Sequence, residues 1–245
     1  TLDINLGAKK ELLDVVVVSA TKYEAKIDEV TVSLEVMGNE LLENNNVIDI
    51  EEGLNKVPGV TITDRQINIR GGSGWSYGAG TRVMTLVDDM PILTADAGDV
   101  RWSSIPTENI NQVEVIKGAA SALYGSSALN GIVNIRLAEP NKEPYTKIST
   151  YGTVYMPPRN RQSIWWQDSG RVYPHITGFN FAHRRMFGDQ VGLVAGGNFI
   201  NHMNFKARAS NTEARVTTNW FFKPRNIKNL KFSLKYNHNF DKGST

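Results

Sequence analysis

The sequence predicts an α+β domain of small elements over residues 14–140, followed over residues 141–245 by the N-terminal strands of a large antiparallel transmembrane β-barrel that is incomplete in this chain. Three observations carry that prediction. Short strand-like and helix-like runs are interleaved up to about residue 140 and helix signals then vanish. The later runs alternate apolar and polar residues with period two, over lengths of about ten residues, which suits a tilted membrane strand. The connections between those later runs alternate long and short, as expected when loops crowd one end of a barrel and tight turns the other.

Residues 1–13 are short and open to two readings: a leader, or the end of a domain upstream, since Thr1 to Leu6 alternates like one strand. Asp14 precedes four consecutive valines, Val15, Val16, Val17 and Val18, a β-branched run that favours an extended backbone. Residues 47–56 (VIDIEEGLNK) place Val47, Ile50 and Leu54 at helical spacing, and Pro58-Gly59 closes the helix. Residues 60–63 and 67–70 read as strands, the second closed by Gly71-Gly72. Residues 83–87 and 90–93 flank Asp88-Asp89 and read as a hairpin with a solvated turn. Residues 113–116 and 132–135 are strands, with a helical turn over 119–124 between two glycines, Gly118 and Gly125. Small elements of both kinds, close together, indicate α+β.

The second part reads as about five strands: residues 146–155, 176–185, 191–204, 213–222 and 230–236. Ala214, Val216, Thr218, Trp220 and Phe222 alternate with Glu213, Arg215, Thr217 and Asn219, and Phe221 breaks the pattern. A soluble sandwich alternates in the same way. The barrel reading is favoured by strand length, by the alternation of long and short connections, and by Trp220 and Phe222 ending a strand on the short-turn side, where an aromatic girdle belongs. Single-chain bacterial transmembrane barrels have about eight strands or more. Five tilted strands cannot close and an open edge in lipid is not viable. The expectation is therefore that further strands lie in a longer chain or on another one.

Composition removes several function classes. The formal net charge is +2 and the charges are dispersed, so no basic track for a phosphate backbone is present. There are no cysteines, hence no disulfide, thiolate metal site or cysteine nucleophile. The four histidines, His175, His183, His202 and His238, lack ligand spacing, so no metal site is expected. The glycine-rich stretch 71–80 lacks the Gly-Lys-Ser/Thr of a phosphate loop. No nucleophile elbow occurs, so no catalytic residues, no cofactor and no enzyme are expected. No run of 18 or more apolar residues exists; barrel strands, whose two faces average out, are untouched by that fact.

Four blocks stand in one order: residues 49–62 (DIEEGLNKVPGVTI), 67–71 (INIRG), 84–92 (MTLVDDMPI) and 105–135 (IPTENINQVEVIKGAASALYGSSALNGIVNI). In content, order and spacing they resemble the plug domain of TonB-dependent outer-membrane receptors. The resemblance covers residues 14–140 by motif; beyond that it rests on the barrel pattern. Asp88-Asp89 departs from the family's frequent Asp-Gly, and Lys117 from its frequent Arg. Lysine is a point charge where arginine is a planar fork, which weakens the case for a bidentate contact there.

The resemblance implies active import of a scarce or bulky nutrient across the outer membrane of a Gram-negative bacterium, by a multi-pass β-barrel whose lumen the plug gates. The implied partners are TonB, outer-membrane lipid and a transported ligand of the siderophore, haem, cobalamin or oligosaccharide class. Asp14, Val15, Val16, Val17 and Val18 stand where the family has its TonB box, and a β-branched run can add to a sheet edge of that partner. Arg70 and Lys117 stand where the family has basic groups facing acidic barrel residues, a latch between plug and barrel. Two glycine-bearing loops, residues 72–81 and 94–102, offer Trp75, Tyr77, Asp96, Asp99, Arg101 and Trp102 as substrate contacts. A second reading stays open: a plugged barrel that does not transport and serves as a binding or assembly component of a larger outer-membrane complex, for instance with a surface lipoprotein.

Overall fold

A computed structural model describes residues 16–17, 19, 23, 25–40, 50–72, 82–94, 99–119, 121–156, 159–160, 174–203, 210–227 and 230–244. The chain divides into two compact units, Thr1–Ile105 with Ile110–Leu137, and Pro106–Asn109 with Ala138–Thr245.

In the first unit, β1 (Val16–Val17) pairs antiparallel with β2 (Ala25–Lys26). Strand β3 (Leu34–Gly38) and helix α1 (Ile50–Leu54) follow. Val47, the expected start of that helical stretch, lies outside the described residues. Strands β4 (Val60–Thr63) and β5 (Gln66–Ile69) form a hairpin. Then come β6 (Val83–Val87), β7 (Met90–Pro91), β8 (Ile110–Lys117), the helical turn α2 (Ser121–Tyr124) and β9 (Gly131–Leu137). The central sheet has the order β3-β8-β9-β6-β7, with β6 and β9 parallel and the other neighbours antiparallel.

The hairpin turns explain two local sequence choices. Asp64 and Arg65 (φ 47° and 65°), and Asp88 and Asp89 (φ 47° and 66°), all have positive φ. Both central residues of a type I′ turn need that conformation, and it matches the twist of the flanking strands. Aspartate tolerates it because its short polar side chain bonds locally. Asp89 in the turn at 88–89 is exposed, as a solvated turn requires, yet both carboxylates are engaged. Asp88 Oδ1 accepts the Leu137 amide at 2.9 Å, and Asp89 Oδ2 accepts from Arg136 at 2.7 Å. Both carboxylates therefore hold β9.

One face of the sheet carries the main core: Met37, Val83, Val113, Val115, Val133 and Ile135 pack with Ile50 and Leu54 of α1 and with Val60, Ile67 and Ile69 of the hairpin. Leu86, Ile116 and Ile132, with Ala128 and Tyr124 over them, form a second cluster. A sheet covered on both faces reads as near-continuous hydrophobic runs. Gly131 starts β9 at φ +154°, and a Cβ there would stand 2.7 Å from Ile69 Cδ1 and strike the Ile116 carbonyl, so only glycine fits.

In the second unit, β10 (Tyr145–Val154), β11 (His175–Phe187), β12 (Val191–Met203), β13 (Ser210–Phe222) and β14 (Phe232–Ser244) form one antiparallel sheet in sequence order. The last four have 13 residues each. At about 3.3 Å per residue they extend about 40 Å, which a tilt of about 45° reduces to about 30 Å, the hydrocarbon thickness. Side-chain rows run straight across the sheet. Phe187, Val191, Phe222 and Phe232 stand in register beside the short turns. Thr150, Phe179, Phe199, Ala214 and Phe240 form a row nearer the other end.

Exposure separates the two readings that alternation leaves open. Val216 is 56% exposed, Trp220 45% and Leu234 71%, while Arg215 is 8% exposed and Asn219 7%. On β13 Val216 and Trp220 are exposed and Arg215 and Asn219 are buried, the reverse of a soluble sandwich and the pattern of a membrane barrel wall.

Candidate functional site

The valine run lies at the start of the first unit. Asp14, Val15 and Val18 are outside the described residues; Val16 and Val17 form β1. Val16 is 45% exposed and Val17 fully buried. The segment lies over the polar part of the second sheet face, where Glu114 is paired in register with Val36 on one side and Asn134 on the other. Ser19 donates its amide to Glu114 Oε2 at 2.7 Å, and Asn134 Nδ2 donates to Ser19 Oγ at 2.9 Å. Gln112 Nε2 donates to the Val16 carbonyl at 2.9 Å and to Glu114 Oε1 at 2.8 Å. The Tyr124 hydroxyl donates to the Ser19 carbonyl at 3.0 Å. Arg136 Nε lies 3.8 Å from Glu114 Oε1 and its NH1 reaches Asp89, so the buried carboxylate is flanked by a cation as well as by donors.

Arg70 and Lys117 stand together. Arg70 has φ 53°, and its backbone N–H donates to the Gly59 carbonyl at 2.7 Å. Its guanidinium donates to Ser33 Oγ at 2.7 Å and to the Lys117 carbonyl at 3.3 Å. The Lys117 ammonium pairs with Glu35 of β3. Both basic groups thus have partners within their own unit.

Of the loop residues singled out as substrate contacts, Trp75, Tyr77 and Asp96 lie outside the described residues. Asp99 closes its loop: its amide donates to Thr94 Oγ1 at 3.1 Å and its Oδ1 accepts from Gln66 at 3.2 Å. Trp102 is 4% exposed, packs in the main core and donates its indole N–H to the Arg65 carbonyl at 3.1 Å. It is a core side chain in this structure, with no open stacking face. Arg101 is exposed.

The second unit holds an ion pair that no local pattern announced. Arg215 on the polar face of β13 donates to Glu108 Oε2 at 2.8 Å, with side-chain exposures of 9% and 2%. Thr107 Oγ1 accepts from the same guanidinium at 3.4 Å, and Thr217 donates to Glu108 Oε1 at 3.5 Å. Gly196 clears the space: a Cβ there would stand 2.8 Å from Glu108 Oε1.

Residues 26–132 match the family described as TonB-dependent Receptor Plug Domain. The chain carries this plug domain, with barrel strands after it. It is 29% identical over 190 residues to the vitamin B12 transporter BtuB of Vibrio vulnificus (strain YJ016), covering 74% of this chain and 29% of that protein. It is 34% identical over 134 residues to an iron-regulated outer membrane virulence protein of Vibrio cholerae serotype O1, covering 50% of this chain and 20% of that one. The crystal structure of the siderophore receptor PirA from Pseudomonas aeruginosa superimposes with a TM-score of 0.65 at 19% identity, over 86% of this chain and 34% of that chain. At that identity the likeness establishes the fold. The chain spans less than a third of the length of these curated relatives.

Within the plug, the residue that sequence reasoning passed over is Glu114. It looked like the polar member of an ordinary strand. The available signal was a lone carboxylate inside an apolar run of a sheet with both faces covered, a position where charge is almost never buried unpaired.

Proposed function

We propose that this chain is the energy-coupled gate and first wall strands of an importer in the outer membrane of a Gram-negative bacterium, working with TonB. The observation that carries the reading is the valine strand at the head of the plug. It is held by a two-residue pairing, a few polar contacts and the buried Val17 side chain, and it belongs to neither apolar cluster, so release costs the burial of Val17 and the donor to Glu114 but not the packing of those clusters. Once released, Asp14, Val15, Val16, Val17 and Val18 would offer a β-branched strand to a sheet edge of TonB. Arg70 and Lys117, at the strand ends of the plug, are proposed to face acidic barrel residues in the latched state. Of the proposed ligand contacts, Arg101 is the exposed one among the described residues.

The ligand class we propose is a bulky, scarce chelate. The relative named for vitamin B12 transport supports it, while the siderophore-receptor likeness, at 19% identity, supports the fold. The test is binding of the purified full-length protein, in detergent, to the periplasmic domain of TonB, with and without residues 14–18. Loss of binding on deletion is expected, as is loss of uptake when Val16 and Val17 become proline, which cannot donate strand hydrogen bonds. Unchanged binding and uptake would sink the importer reading and leave the assembly component.

A further inference from the structure

Arg185 is out of place on the outward face of β11. It stands in register with Leu193, Trp220 and Leu234, and the next row toward the short turns is Phe187, Val191, Phe222 and Phe232. Arg185 is exposed, and Leu234 and Trp220 in its row are 71% and 45% exposed. Its Cζ lies 5.4 Å from the ring centroid of Phe187, two residues further along the strand, so the side chain leans toward the short-turn end. Among the described residues no carboxylate pairs with it. The same end of the sheet carries the exposed cations Lys142, Lys223 and Arg225 and the exposed carboxylates Glu143 and Asp189.

A guanidinium cannot lose its charge. On an apolar wall it must reach the interface and find an anion there. The lean over Phe187 has that direction. We propose that Arg185 holds the phosphodiester of a glycerophospholipid headgroup in the periplasmic leaflet, its planar fork taking two phosphate oxygens while Trp220 and Phe222 bracket the acyl boundary. The inference rests on the membrane-wall reading of the sheet. Phosphate geometry favours arginine's bidentate donors over any single hydroxyl or amide on this face.

The test uses the full-length protein in detergent, titrated with phosphatidylglycerol and with phosphatidylethanolamine and observed by native mass spectrometry. Heat-modifiable migration on gels reports the folded barrel in the same samples. Wild type should retain bound phospholipid, Arg185→Gln should bind about fivefold more weakly, and Arg185→Lys should fall between them. Excess inorganic phosphate should leave most of the lipid bound. A folded barrel in which Arg185→Gln binds lipid like wild type overturns this inference alone, as does complete displacement by inorganic phosphate. Absence of a folded barrel in wild type overturns the membrane-wall reading and the inference with it.

Discussion

Ser19 donates its backbone amide to Glu114 Oε2 at 2.7 Å across 95 residues of sequence, and both residues are fully buried. A carboxylate in that position is tolerable only while its donors stay, so the N-terminal segment and the sheet stabilise each other.

Removing the acceptor should loosen the segment. A hydrogen bond to a charged group contributes about 1.5–3 kcal/mol, so Glu114→Ala should raise the undocked fraction about tenfold or more. The chain has no cysteine, and Val16 is 45% exposed, so a spin label on Val16→Cys reports docking cleanly. The same variant should bind the periplasmic domain of TonB more tightly, because the competing docked state is depleted. A label that stays immobile after Glu114→Ala would show that Glu114 does not hold the segment.

Tyr124 should make docking sensitive to alkali. Burial foremost, and then the Asp89 charge, raise its pKa above the ordinary value of 10.0, with Arg136 opposing. A raised phenol pKa means that the fold keeps the neutral form, the one that donates to the Ser19 carbonyl. That stabilisation is complete below pH 10 and is lost as pH rises through the raised value. Label mobility at residue 16 should therefore increase above pH 10, and Tyr124→Phe should flatten that dependence. An identical alkaline profile in both proteins would exclude Tyr124 as its source.

Glu108 and Arg215 form a buried pair, with side-chain exposures of 2% and 9%. Glu108→Ala leaves the buried guanidinium without its carboxylate and should destabilise the full-length barrel by about 3–5 kcal/mol, whereas Glu108→Ala with Arg215→Met should recover most of that loss. Urea unfolding midpoints of the two variants check it. Equal midpoints would show that the pair is not energetically coupled.

Depth should govern lysine substitutions on the outward face. Val216 lies six residues from the row at the short turns, near mid-height, whereas Phe222 lies in that row. Val216→Lys should cost about 2–4 kcal/mol and Phe222→Lys about 0–1 kcal/mol. A soluble sheet would hold both lysines in water, and equal costs would contradict the membrane wall.

Much of this fold was legible because its signals are local. The Asp88-Asp89 turn, the pattern of period two in β13 and the glycines around residues 118–131 each act over a few residues of chain, and the strands at 83–87, 113–116 and 132–135 lie where that reading puts them. The run from Val15 to Val18 was equally visible, but a valine run looks the same whether free or docked. Alternation in β13 is symmetric under exchange of its two faces, so the apolar-out reading came from strand and connection lengths rather than from the alternation, and the exposure of Val216 and burial of Arg215 agree with it. Sequence could not pair Glu108 with Arg215 or Ser19 with Glu114. Opposite charges and donors carry no period, and partners about a hundred residues apart are chosen only when the folded backbone brings them within hydrogen-bond reach.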